Sequence, residues 1–176
     1  MIVLGGGDAR MEEVGRDRVT GRPLFVLDAN GPDDIPPSLP MPGPYFVCLL
    51  AWDARTASIA DIAAVAGQLL RAGCVYVCCW GPDSERVHDV FDETDLELRP
   101  DGPWCFSSWH SQEPLSEAMW FALFAARPDD AYSDGCRVVV GVSLGSSEWS
   151  AEIRTAFTAP AEFSDRVLAA KDKRGR

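Results

Sequence analysis

The sequence predicts an α/β fold: one domain with a mostly parallel sheet of four or five strands and helices on both faces, in the manner of a Rossmann-like or flavodoxin-like three-layer sandwich. Two observations carry this. Residues 45–52 and 74–80 are apolar without interruption and of strand length, the pattern of strands buried on both faces. Between such runs lie segments whose apolar residues recur at helical spacing, joined by short connections, as in a parallel sheet with crossover helices.

Each element follows from local chemistry. Residues 1–22 combine an apolar tripeptide, three glycines and a charged stretch with little periodicity, so a loose arm or short edge element is expected. Gly5 and Gly7 would open a dinucleotide loop, but Arg10 stands where its third glycine belongs and no amphipathic helix follows. Residues 24–27 suit a short strand. Six prolines within residues 31–44 dictate an extended connector, because proline lacks the N–H that helices and central strands use. The strand at 45–52 ends at Asp53. Ser58 and Asp61 then form a capping box ahead of Ile59, Ile62, Ala66 and Leu69 on one helical face, and Gly73 stops that helix.

The strand at 74–80 is broken by Gly81-Pro82. Asp83 or Ser84 caps a second helix, with Val87, Val90 and Phe91 inward and Arg86, His88, Asp89 and Asp92 outward. Residues 95–103 read as a polar connector and 104–108 as a third strand. A helix starts near Pro114; its 118–126 stretch is apolar on all sides, which places it inside the core or against another subunit. Residues 136–143 form a fourth strand, Trp149, Ile153 and Phe157 mark a last helix, and Pro160 ends it. The expected organisation is an arm at 1–22, an α/β domain at 23–160 and a charged tail at 161–176 with room for a short helix at 163–170.

A chain of 176 residues that is 47% hydrophobic and 24% charged supports one full core. Its formal net charge of −11 argues against a surface that neutralises phosphates, so nucleic acid is not an expected partner. Residues 81–101 hold eight acids against two arginines, which points to a basic protein. No secretory signal and no run long enough to span a bilayer is present, so a cytoplasmic location without a membrane anchor is expected. The six cysteines fall in or at the start of apolar runs without a C-x-x-C pair. They read as small buried hydrophobes, Cys79 among them, with Cys78 and Cys79 on opposite faces of a strand; no metal site is expected.

Right-handed crossovers place every strand end on one edge, which presents Trp52, Asp53, Trp80, Asp83, Trp109, His110, Glu113 and residues 143–146. One reading is that the tryptophans close the core. The other is a ligand pocket walled by Trp52, Asp53, Trp80, Asp83, Trp109 and His110. In that pocket His110 would be a general base oriented by Asp53 or Glu113, with Ser107, Ser108 or Ser143 as nucleophile, although no G-x-S-x-G elbow surrounds these serines. His88, Asp89 and Asp92 would bind a metal only with ligands from elsewhere. The residues identify no cofactor.

Two segments, Gly73-Cys74-Val75-Tyr76-Val77-Cys78-Cys79-Trp80-Gly81-Pro82-Asp83 continuing to Glu85-Arg86-Val87-His88-Asp89, and Trp109-His110 with Glu113-Pro114-Leu115 and Glu117-Ala118-Met119-Trp120-Phe121, resemble a family of bacterial proteins of unknown function. The resemblance spans about residues 45–157. It implies a stand-alone bacterial domain and brings no activity, cofactor or site residue with it.

The expected function is therefore that of a small acidic cytosolic protein acting by protein–protein interaction, such as an immunity or defence partner of a basic protein, through Glu85, Asp89, Asp92 and Glu93. The alternative is a ligand- or nucleotide-binding sensor or small hydrolase working around Trp109 and His110. A homodimer through residues 114–126 is compatible with either.

Overall fold

The two uninterrupted apolar runs lie side by side inside the sheet. The computed structural model of the chain describes residues 2–3 and 10–174, and in it β4 (Tyr45–Trp52) pairs in parallel with β5 (Cys74–Trp80). Phe46, Cys48, Leu50 and Trp52 face one side of the sheet, and Val47, Leu49 and Ala51 the other. Both faces are covered, which is why these strands lack polar alternation. β3 (Pro23–Ala29), β6 (Phe106–His110) and β7 (Cys136–Leu144) complete the parallel set, while β1 (Ile2–Val3) and β2 (Arg10–Arg16) extend it antiparallel.

Across the sheet the order is β1-β2-β3-β7-β4-β5-β6. Counted among themselves along the chain, the parallel strands run 1-5-2-3-4, so the last inserts between the first two. This differs from both the 3-2-1-4-5-6 and the 2-1-3-4-5 doubly wound orders. The described residues hold seven strands where four or five were expected. The additions come from the expected arm: β2 is charged because it lies near the rim of the sheet, and its register shift between Glu13 and Gly15 hides the alternation. Only Met11 of β2 is buried. Gly5 and Gly7, weighed above as a dinucleotide loop, lie outside the described residues, as do residues 175–176 of the expected tail.

α1 (Ile59–Arg71), α2 (Ser84–Leu98) and Ile35 of the proline-rich connector cover one face. α3 (Leu115–Phe124), α4 (Ser147–Thr158) and α5 (Pro160–Arg174) cover the other. The Ser58–Asp61 capping box forms as the sequence indicates: Ser58 Oγ accepts from Asp61 N at 3.1 Å and Asp61 accepts from Ser58 N at 2.9 Å.

Three boundaries differ from expectation. α2 continues through residues 95–98, because Asp95 follows Val87 and Phe91 down the inward face, where an acid interrupts the apolar pattern. The third strand is Phe106–His110, not 104–108, and it is the outer strand of the sheet. The tail beyond residue 160 is a docked helix: Phe163 and Val167, one turn apart, are buried. Trp120 Nε1 donates to Ser164 Oγ at 3.0 Å, and Glu117 pairs with Lys171 at 3.0 Å and with Arg174. The outer side of the apolar helix α3 is thus packed against α5 within the chain. No helix of the described residues is long and apolar enough to cross a membrane.

The cysteines behave as small hydrophobes. Cys48, Cys74, Cys78, Cys79 and Cys105 are buried and free, Cys136 is half-buried, and Cys78 and Cys79 occupy opposite faces. Burial pushes the Cys78 thiol up to about 12 and that of Cys136 to about 11. Because the thiolate is the reactive form, the folded protein is expected to resist alkylation by iodoacetamide at about pH 8, with all the cysteines labelled once it unfolds. Rapid native labelling of Cys78, followed by mass spectrometry, would contradict this packing.

Candidate functional site

The predicted site residues do not all converge. Alternation along the strands sends Trp52 and Trp109 to the face covered by α1 and α2, and Trp80 and His110 to the face covered by α3. Trp52 is core. Asp53 forms an exposed ion pair with Arg55 at 2.6 Å, and that guanidinium holds its carboxyl below the usual range. Asp83 sits in the left-handed region and pairs with Arg86, whose guanidinium also donates to the Ala54 and Ala57 carbonyls.

Trp80, His110 and Glu113 do meet. His110 is buried, with Nδ1 2.9 Å from Glu113 Oε2, Nε2 3.0 Å from Ser108 Oγ, and the Phe121 ring 5.1 Å away. Trp80 Nε1 donates to the Glu113 carbonyl at 2.8 Å and its ring packs edge-on against Trp149. The orienting carboxylate is Glu113; Asp53 is engaged elsewhere. A carboxylate, an imidazole and a hydroxyl in line are the parts of a proton relay. Here they tie the end of β6 to the start of α3, and neither of the clefts described below is lined by Ser108 or His110.

The outer side of α2 has a different character. Glu85, Asp89, Glu93 and Glu97 are exposed and four residues apart, so they form one carboxylate ridge along the helix. Among the described residues no lysine or arginine pairs with any of them. Like charges at this spacing repel by roughly 0.2–0.5 kcal/mol per pair, a cost that no described lysine or arginine offsets. Asp92, expected beside them, turns towards β6: it accepts from Ser107 Oγ at 2.5 Å and lies 3.6 Å from His88 Nε2. His88 also meets Asp89 at 3.0 Å and packs against the Trp109 ring at 4.7 Å. Among the described residues no cluster of three or more His, Cys, Asp or Glu side chains is placed to hold a metal.

Asp95 explains how this corner is assembled. It is 2% exposed and accepts from the Arg99 guanidinium and from Cys105 N at 2.7 Å. Arg99 in turn reaches Tyr132 Oη at 2.7 Å. The C-terminal end of α2 is thereby tied to the segment that enters β6. Between them lies a groove of about 510 Å³ lined by Leu96, Trp104, Phe106, His88 and Asp92 among others.

A second cleft, about 790 Å³, opens where the connections after β3 and β7 leave to opposite faces, the position at which ligands collect in open α/β sheets. Several of its polar groups pair with one another. Arg154 bridges Glu12 at 2.7 Å and Asp28 at 2.9 Å, Ser150 donates to Asp28, and Ser143 donates to the Ser146 carbonyl at 2.8 Å.

Sequence reasoning missed Glu97, Asp95 and the Asp28–Ser150–Arg154 cluster. The four-residue spacing from Glu85 was the available signal for Glu97. None existed for the others, which depend on pairing across the fold.

A family model described as a domain of unknown function matches residues 25–160. No curated protein and no solved structure matches the chain.

Proposed function

Because the chain belongs to the DUF7684 family, a domain of unknown function, membership assigns no activity, and we propose that it is a protein-interaction module that captures a basic partner on the outer side of α2. The observation that carries this is the ridge of Glu85, Asp89, Glu93 and Glu97, exposed and unneutralised by any described lysine or arginine. Complementary charge raises the rate of encounter and weakens as salt screens it. An acidic cytosolic protein of this kind would suit the role of an immunity or defence partner to a basic protein.

The test compares two variants of equal charge. One reverses the ridge to lysine at all four positions. The other reverses Asp33, Asp130, Asp134 and Glu162, which are exposed elsewhere. Ridge reversal is expected to weaken capture of a basic partner from the source cell by ~100-fold, mainly in association rate, while the control retains it. Equal retention by both variants, or a captured set that is not basic, would overturn the reading.

A further inference from the structure

The edge of the sheet beside the ridge suggests how such a partner is held. Resting on the interaction reading above, we infer that β6 accepts an added strand: the partner enters as an extended segment of alternating basic and apolar residues and pairs with the open side of β6.

Among the described residues β6 is the last strand of the sheet and pairs with β5 alone. In a strand paired on one side, the N–H and C=O groups that point the other way are a template for another chain. The two rims of this sheet are built differently. At the far rim β1 has two residues, and the adjoining β2 carries Arg10, Glu12, Glu13 and Arg16 with a register shift, the devices that discourage pairing. β6 reads Phe-Ser-Ser-Trp-His and pairs with β5 without a shift. It contains no lysine, carboxylate or proline.

Aromatic rings stand on both sides of this open edge. Phe106 is 43% exposed on one face of the sheet, Trp109 is 48% exposed on the other, and Trp104 just before the strand is 46% exposed. An incoming strand sends successive side chains to opposite faces, so each face of it would meet an aromatic wall. The groove at the entry to β6 adds a specific seat. Leu96, Trp104 and Phe106 make its apolar wall and Asp92 supplies a carboxylate. That suits a lysine or arginine whose stem lies along the rings while its charge meets Asp92.

Charge also decides between occupants. Pairing β6 with β6 of a second copy would relate the two chains by an axis perpendicular to the sheet and bring both α2 helices to the same face. Two acidic ridges would then be neighbours on chains that each carry a formal charge of −11, and like-charge juxtaposition disfavours this pairing. A basic segment is attracted to the same place.

The probe is a nine-residue peptide of alternating lysine and valine, compared with the same peptide N-methylated at every peptide bond, which keeps its charge but cannot form a ladder. With the full chain, the first peptide is expected to slow hydrogen exchange of amides within residues 106–110 at least tenfold and to perturb tryptophan fluorescence. The second is expected to bind at least tenfold more weakly. Phe106→Lys, which guards the edge with a charge, should abolish the protection while leaving thermal unfolding of the free protein unchanged. If both peptides bind equally and β6 exchanges as before, strand addition is overturned while the ridge reading stands. If neither binds, both fall. If residues 106–110 become protected with rising protein concentration and no peptide, the occupant is a second copy and the inference is wrong.

Discussion

Gly81→Ala is expected to cost about 3 kcal/mol of stability, at the upper end of what backbone strain at a single residue imposes. Gly81 has φ of 120°, a conformation that L side chains rarely adopt, and a Cβ there would lie 2.3 Å from the Trp52 carbonyl oxygen. Both obstacles are backbone, so no rotamer change relieves them. The glycine lets β5 turn away directly against the end of β4, and Ala54 N then reaches the Pro82 carbonyl at 3.1 Å. Arg86 closes the same corner through the Ala54 and Ala57 carbonyls. Spreading these loops should loosen the first turn of α2, where the ridge begins at Glu85. Gly31→Ala is the matched control: a Cβ there meets nothing within 4 Å, and its backbone is extended, so a change within roughly 0.5 kcal/mol is expected. Urea unfolding of the two variants checks the pair, and equal midpoints would refute the account.

Asp95→Ala is expected to cost about 3–5 kcal/mol, because removing one partner of a buried ion pair leaves the other charge uncompensated. The alanine would leave the Cys105 N–H without its acceptor and the Arg99 guanidinium without its carboxylate, with Tyr132 Oη still in place. Asp95→Asn keeps an acceptor for Cys105 and removes only the charge, so its loss should be smaller. With a urea slope of roughly 2 kcal/mol per molar, the alanine variant should unfold near 2 M lower in urea. The corner it supports carries Trp104 and the entry to β6, so hydrogen exchange there should quicken before the rest of the sheet is affected. An alanine variant with an unshifted midpoint would show that Asp95 is not the tie between α2 and β6.

The candidate site was partly visible beforehand. The surplus of acids in residues 81–101 was legible because it is a sum over neighbours. Its division was not: Glu85, Asp89, Glu93 and Glu97 face outward, Asp92 turns to Ser107, and Asp95 is buried. Only where α2 meets β6 distinguishes them. Glu113 was weighed as a partner for His110 and is the one that meets it, because three residues of chain hold the two close whatever the rest does. Asp53, the other option, lies at the end of a different strand and pairs with Arg55, two residues on.

By itself the sequence determined the α/β class, the buried strands at β4 and β5, the capping box at Ser58 and the role of the cysteines as packing. These depend on periodicity, capping and burial, which act over a few residues and leave a local pattern. Tertiary structure alone decided that β7 inserts between β3 and β4, that α5 packs over α3, and that β6 stands at the open edge. Those outcomes rest on pairings between segments far apart in the chain. Phe-Ser-Ser-Trp-His reads the same whether it has one neighbouring strand or two, and only its place in the sheet leaves one side open beside the acidic ridge.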